Sequence, residues 1–362
     1  MSALIFRKNF PAFVTGASGF IGGRIAERLL ADGRRVRVLA RQPLPHLEKL
    51  GAEVILGDLA DHEALRRGCA GADTVFHVAG KVGVWGPRRE FFKVNLGGTQ
   101  NVIAACQKHG VSRLIYTSSP SVVYNGRDLA GIDESAPLCI HAPCGYPTSK
   151  AAAESAVLAA HSRSLATIAL RPHLVWGPGD KNVVPRVLAL AKAGRLRIIG
   201  SGKNKVDVTH ISNVVDAHLL AEGALLADDK TAAFHAPSRP GESNAGLPVK
   251  GPGGRAYFIT NGEPVILWDW INELLRGLDL PAVKGRLPQS AAFLAGGLLE
   301  GLWRALPLKG EPPMTRFVAK EMATDHWFNI SAARRDLNYH PLVTMADGTK
   351  ELIAHLWREG DY

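Results

Sequence analysis

Cysteine is scarce in this chain: the four present, at 69, 106, 139 and 144 of 362 residues, are widely scattered. That excludes the disulfide framework of a small secreted domain and makes a reducing cytoplasm the expected setting. Long apolar runs are also missing. The opening MSALIFRKNF carries only four apolar residues in a row before Arg7, too few for the core of an export signal, and no uninterrupted stretch reaches the length of a bilayer-spanning helix. Aromatic residues amount to 7%, and no RNP-like motif, zinc-finger spacing or long basic block accompanies the net charge of +10. Nucleic acid is therefore not an expected partner, and the positive charge is left to suit an anionic lipid or a phosphorylated ligand. Metal chemistry has little to work with. No HExxH helix occurs, and CIHAPC, Cys139 to Cys144, offers two thiols around His141 without an evident fourth ligand. That segment reads better as a loop over a site than as a zinc centre.

What the chain does have is apolar residues, 46% of the total, enough to build one large core or two smaller ones. In the first half, short β-branched runs alternate with helical patterns, which predicts a parallel sheet with crossover helices. Strands are expected at 12–15, 36–40, 53–57, 74–79, 113–118 and 167–176, and helices at 20–32, 61–69, 90–109 and 146–162. This is the pattern of an α/β, Rossmann-type doubly wound parallel sheet. After WGPGD (176–180) the alternation weakens into a smaller, mostly helical C-terminal part. The expected division is a nucleotide-binding domain over 1–180, with 206–236 returning to it, and a substrate domain over 181–362 that includes a flexible loop at 237–255.

VTGASGFIGGRIAERLL follows the first strand directly and opens a helix. Gly16 suits a tight turn, Gly19 lets backbone amides approach a pyrophosphate, and Gly22 allows the helix to pack closely on the sheet. Ser18, Phe20 and Ile21 fill the same turn. A dinucleotide is the ligand that this context predicts. The second strand ends VRVLARQP, with Arg41 where an acid would hold a ribose 2′-hydroxyl. A guanidinium there suits a 2′-phosphate, so NADP(H) is the preferred cofactor, with NAD(H) the alternative. Asp58 and Leu59, in GDL after the third strand, are placed for the adenine, and Val78 and Ala79 close the fourth strand beside the same crevice.

CGYPTSKAAAES sets Tyr146 and Lys150 four residues apart, hence on one helix face. A lysine charge beside an oxidised nicotinamide would draw the phenol's pKa down from about 10, making Tyr146 a usable acid or base. IYTSSPS ends the fifth strand and brings hydroxyls at Ser118, Ser119 and Ser121 to the carboxyl edge of the sheet, where ligands of such folds bind.

Together, TGxxGxxG (15–22), FHVAG (76–80), VNLGGTQNV (94–102), YTSS (116–119), YxxxK (146–150) and RPHLVWGPGD (171–180) resemble the extended short-chain dehydrogenase/reductase superfamily, within it the 3β-hydroxysteroid dehydrogenase group. GSGKNKVDVTHISNVVDAH and AYFITNGEPVILWDWINELL are similar to sterol-4α-carboxylate 3-dehydrogenases. GKVGVWG (80–86) and SSPSVVYNGRD (118–128) are similar to bacterial 2-alkyl-3-oxoalkanoate reductases of long-chain olefin biosynthesis. The resemblance implies Tyr146 as proton donor, Lys150 as its pKa-lowering partner and ribose ligand, and Ser119 as the hydroxyl that holds the carbonyl, with Ser118 and Ser121 open for that last role. It makes Asn95 the structural asparagine and gives Pro172 a backbone contact with the nicotinamide. It further implies a homodimer built on 90–109 and 146–162. The expected activity is interconversion of a ketone and a secondary alcohol on a bulky hydrophobic substrate, with a 2-alkyl-3-oxoalkanoate as the specific expectation. A steroid or sterol-carboxylate dehydrogenase, an NAD-dependent sugar-nucleotide epimerase and a non-enzymatic NADP(H) sensor are the rivals.

One segment stands apart. LPQSAAFLAGGLLEGLWRALPLKG (287–310) puts Leu294, Leu298, Leu302 and Leu306, with Leu299 and Trp303, on one face, interrupted by Glu300 and Arg304 on the other. The first expectation is a core or pocket-wall helix, the second a peripheral membrane contact.

Overall fold

The computed structural model describes residues 10–234, 251–306 and 308–360, with backbone alone over 229–234. The predicted loop at 237–255 therefore lies outside the described residues except at its end.

Strands β1 (Ala12–Thr15), β2 (Val36–Ala40), β3 (Glu53–Leu56), β4 (Thr74–His77) and β5 (Arg113–Thr117) fall where the β-branched runs predict them. β6 (Leu129–Ile132) leaves this series for a second sheet, and the predicted strand over 167–176 divides into β7 (Ala166–Pro172) and β8 (Val175–Trp176). The division falls at Leu174, whose φ of 36° turns the chain out of extended geometry. β9 (Ile198–Ile199), β10 (Lys205–Val206), β11 (Thr209–His210), β12 (Arg255–Ile259), β13 (Val265–Ile266), β14 (Arg286–Leu287) and β15 (His326–Phe328) complete the strands among the described residues.

The main sheet has seven strands in the order β12-β7-β5-β4-β1-β2-β3. Every pairing in it is parallel, with Ala12 opposite both Val36 and Thr74. Strand order reverses between β1 and β4, which opens a crevice at their carboxyl ends. β1, β4, β5 and β7 are buried along their whole length, as strands covered on both faces must be. β12 lies in the segment assigned from sequence to the substrate domain, yet it forms the edge of the nucleotide-binding sheet. The helix Ile211–Phe234 packs on β5 and β7.

The C-terminal part is mainly helical around a core of Trp176, Trp268, Trp270, Leu274 and Leu275. It also carries a small sheet in the order β13-β10-β15-β6, so β6 ties the first half of the chain to the last. Among the described residues no helix is long and apolar enough to cross a membrane.

Candidate active site

The first glycine turn is set by contact. Gly16 has φ 76°, and a Cβ there would stand 2.7 Å from the backbone nitrogen of Ala79. A Cβ on Gly22 would meet the carbonyl of Gly16, with its carbon at 2.7 Å. Only glycine lets β1, the loop and the helix Phe20–Ala31 approach this closely. The Gly19 N–H donates to the Gly16 carbonyl at 3.0 Å and starts that helix. Ser18 and Gly19 are exposed and Phe20 and Ile21 half-buried, so the free amides of the first helical turn face the crevice beside Val78 and Ala79. The Ala79 N–H is anchored on Thr15 Oγ1 at 3.2 Å. Arg41 is exposed immediately after β2 and makes no hydrogen bond or ion pair among the described residues. Asp58 is also exposed, with one carboxylate oxygen accepting the Ala60 N–H at 2.7 Å. Leu59 is buried under Gly98 and offers its carbonyl to Asn101 at 2.8 Å. Pro172 is the buried last residue of β7. The residues present fit a dinucleotide: a glycine cradle at the switch point, helix amides and an unpaired guanidinium.

The helix Gly145–Ala159 carries the reactive pair. Its face toward the sheet repeats every four residues as Tyr146, Lys150 and Glu154, and alanines at 151 and 153 let it lie close against its neighbours. Ser119 caps the short 3-10 turn Pro120–Val123 with its side chain and is half-exposed, at 3.0 Å from Ser121 Oγ. Burial pushes the Tyr146 phenol above its ordinary pKa, and a hydrogen bond with the Ser119 side chain opposes that push. Ser118 is buried, its amide donating to the Leu170 carbonyl at 2.6 Å. Of the three candidate serines, Ser119 is the one whose side chain bears on the phenol's pKa, and Ser121 lies 3.0 Å from it.

Lys150 is 4% exposed. Its Nζ donates to the Thr117 carbonyl at 2.6 Å and stands 4.2 Å from the centre of the Tyr116 ring. Burial lowers its pKa from 10.5 to about 7, with the Glu154 carboxylate resisting. The expected lowering of the phenol by Lys150 beside an oxidised nicotinamide concerns the cofactor-bound protein; in the protein alone, burial is the first cause acting on both groups. Both groups are desolvated, and desolvation drives each toward its neutral form.

Several supporting residues carry no motif. Glu154, fully buried, accepts two hydrogen bonds from Arg171, at 3.0 Å from Nε and 2.6 Å from a terminal nitrogen. Its position four residues beyond Lys150 is the signal that could have found it. Asn95 lies in a π-helical turn, Phe92–Gly97, which breaks the helix predicted over 90–109. Its Nδ2 donates to Ser149 Oγ at 2.9 Å and its Oδ1 accepts the Lys81 N–H at 2.6 Å. Asn95 therefore braces the Tyr146 helix against the loop 80–86. Thr117, whose carbonyl holds Lys150, is fixed through its hydroxyl to His218 Nε2 at 2.7 Å. His77 is buried between Thr15 and Thr99, at 2.8 and 2.9 Å, and burial lowers its pKa to about 3, so it serves as a neutral strut.

An apolar wall completes the site. Tyr124, Cys139, Cys144 and Phe317 pack together, with Val84, Ala142, Val318 and Tyr146 against them. Tyr124 and Phe317 have ring centres 4.9 Å apart. Phe317 and Val318 come from a distant segment, and CIHAPC contributes two thiols whose pKa values burial raises, which makes them wall and not nucleophile. Glu321, one helical turn beyond Phe317, is pushed up by burial while His326 opposes.

A glycine-cradled dinucleotide crevice opening on a serine, tyrosine and lysine defines an NAD(P)-dependent oxidoreductase acting on CH–OH groups. Residues 13–289 match the 3-beta hydroxysteroid dehydrogenase/isomerase family, and the chain belongs to that family. It is 42% identical over 344 residues to a 2-alkyl-3-oxoalkanoate reductase of Stenotrophomonas maltophilia, covering 94% of this chain and 98% of that protein. It is 33% identical over 345 residues to the human sterol-4-alpha-carboxylate 3-dehydrogenase, decarboxylating, covering 94% of this chain and 86% of that one. Among solved structures, an epimerase from Methanothermobacter thermautotrophicus superposes with a TM-score of 0.72 at 22% identity, over 100% of this chain and 96% of the other, which shows the fold.

Proposed function

We propose that the protein is an NADP(H)-dependent reductase of a bulky, hydrophobic ketone, and that its substrate is a 2-alkyl-3-oxoalkanoate taken to the 2-alkyl-3-hydroxyalkanoate. The observation that carries this reading is Ser119 bearing on Tyr146, with Lys150 four residues along the same helix, beside the apolar wall of Tyr124 and Phe317. The 42% identity to a 2-alkyl-3-oxoalkanoate reductase supports the substrate. When bound, NADPH supplies a hydride. Gly16, Gly19 and Gly22 with the amides of Ser18, Phe20 and Ile21 hold its pyrophosphate, and the free guanidinium of Arg41 takes the 2′-phosphate.

The protein's own part is proton and charge management. The Ser119 hydroxyl donates to the substrate carbonyl and Tyr146 gives its proton to that oxygen as negative charge develops there. A phenol raised by burial stays protonated, the form that a donor in carbonyl reduction requires. Lys150, hydrogen-bonded to the Thr117 carbonyl, would hold the ribose of the bound cofactor beside the reacting centre. Tyr124, Phe317 and Val84 exclude water and receive the alkyl chains.

We further propose a homodimer through 90–109 and 146–162. A hollow of about 260 Å³ between Phe92, Ile140 and the small residues Thr148, Ala151, Ala152 and Ser155 offers a seat for a second copy on that face.

The deciding experiment follows NADPH and NADH consumption by purified protein with a long-chain 2-alkyl-3-oxo acid beside a 3-ketosteroid. Fast NADPH loss with the acid alone is expected. Turnover only with the steroid, or only with NADH, would move the activity to the steroid dehydrogenase branch of the family.

A further inference from the structure

The apolar wall beside Tyr146 carries two polar tips that the fold leaves without a partner. One is the phenol of Tyr124, a residue 8% exposed, and the other is the carboxyl of half-buried Glu321. Neither side chain makes a hydrogen bond or ion pair among the described residues. Polar groups out of water are normally paired, so two unpaired tips on one wall mark a place where a ligand supplies the partner.

Packing fixes both tips. Tyr124 directly follows the turn Pro120–Val123, and its ring meets that of Phe317 at 4.9 Å between centres. Glu321 lies four residues beyond Phe317 on the short helix Arg316–Glu321 and shares its face. The helix Gln289–Ala305 clamps that short helix from outside through its buried stripe of Ala292, Gly296 and Glu300. A Cβ on Gly296 would stand 2.7 Å from the Thr315 backbone, and Glu300 accepts from the Arg316 guanidinium at 2.9 and 2.7 Å. The leucines of Gln289–Ala305 turn away from this contact, with Leu294 66% and Leu298 70% exposed, which corrects the core-helix expectation.

The nearby cations are engaged elsewhere. Arg316 is tied to Glu300, and Lys320 stands 5.8 Å over the Phe293 ring. His326 spends one ring nitrogen on the Glu321 carbonyl and the other on His173. Arg88, beyond the two cysteines, is exposed and donates to the Ala142 carbonyl and to Thr148 Oγ1. Burial thus pushes the Glu321 carboxyl toward its neutral form, with His326 resisting. Burial first, and Glu321 after it, push the Tyr124 phenol up, so that it stays a donor.

We infer that Tyr124 and Glu321 form a subsite for the carboxylate of the substrate, the phenol donating to one oxygen and the Glu321 carboxyl sharing a proton with the other. The inference rests on the reading of the substrate as a 2-alkyl-3-oxoalkanoate, whose carboxylate lies one carbon from the ketone. A carboxylate entering an apolar chamber needs donors in place of water, and charge-assisted hydrogen bonds from neutral groups supply them. Tyr146 packs on the same wall, so anchoring the carboxylate orients the neighbouring carbonyl toward that phenol and Ser119.

The test compares initial rates with NADPH on a long-chain 2-alkyl-3-oxo acid and on the ketone of the same chains that lacks the carboxyl group. The wild type should prefer the acid in kcat/KM. Tyr124→Phe and Glu321→Leu should each lower that acid-over-ketone ratio about ten-fold, through KM for the acid, while Glu321→Gln, still a neutral donor, should retain it. A ratio that neither Tyr124→Phe nor Glu321→Leu changes would overturn the inference, since a purely structural role lowers both substrates together. So would a ratio that rises in Glu321→Gln, the sign of a charged carboxylate repelling the acid, or one that falls only in Arg88→Gln. A wild type that reduces acid and ketone equally removes the subsite and leaves the reductase standing. One that ignores the acid removes the proposed substrate, and the subsite with it.

Discussion

Replacing Lys150 by methionine should stabilise the protein near neutral pH and do so less as the pH rises. The side chain is 4% exposed, and its ammonium has one carbonyl and one aromatic ring for company. Burial takes its pKa from 10.5 to about 7. Between those two values the unfolded chain binds the proton and the folded chain does not, so stability rises with pH through that window. The deficit is complete below about pH 7 and is relieved as the pH climbs toward 10.5. The whole interval corresponds to on the order of 5 kcal/mol, and between pH 7.5 and 9 the wild type should gain about 2 kcal/mol on the methionine variant. Urea denaturation of both proteins without cofactor, followed by tryptophan fluorescence at several pH values in this range, measures the difference directly. Curves that run parallel would show that Lys150 keeps its proton in the fold, and would refute the claim that burial neutralises it. The variant should also lose turnover, because the amine removed is the one that would hold the cofactor's ribose beside the reacting centre.

Tyr146→Phe should lower turnover by roughly 10²-fold to 10⁴-fold while leaving cofactor affinity largely intact, read by steady-state kinetics beside fluorescence titration of NADPH. Unchanged turnover would remove the phenol from the mechanism. Arg41→Asp should reverse the preference for NADPH over NADH, since an exposed, unpaired guanidinium is replaced by a charge that repels a 2′-phosphate; equal affinity of the wild type for the two cofactors would defeat the assignment. Gly22→Ala should destabilise by about 1–3 kcal/mol and weaken dinucleotide binding, because the added methyl meets the Gly16 carbonyl. Gly301→Ala is its control: nothing lies within 4 Å of the new Cβ, and the helix should gain about 1 kcal/mol.

How much of this was legible in the sequence depended on the range of the forces involved. The strands β1 to β5 and the glycine turn were readable because period, β-branching and turn chemistry are local, and all act within a few residues of where they are written. Local reading failed where a tertiary contact outweighed it. The helix over 90–109 contains a π-turn that no periodicity signals, and that turn sets Asn95 against Ser149 and Lys81. The strand over 167–176 breaks at Leu174. Hydrophobic spacing identified the leucine stripe of 287–310 and left two places for it, a core or pocket wall and a membrane surface, because pattern gives a face but not its partner. Here the partner accepted glycine and a buried glutamate instead. Phe317 and Val318 could not have been found at all, since only folding brings them to Tyr146.

Protonation is the hardest property to read from spacing, because burial acts against it. A four-residue interval puts Tyr146 and Lys150 on one face, which suggests that the cation stabilises the phenolate. The structure adds depth. Once both groups are out of water, the cost of charging either one is the larger effect, so the phenol rises and the lysine falls. Glu154 then acquires its role from position as much as from charge. It is tied twice to Arg171, so its carboxylate is held in place beneath Lys150 and limits how far that pKa can drop. A site arranged this way keeps the phenol protonated and the lysine readily deprotonated until a bound cofactor and substrate change their surroundings.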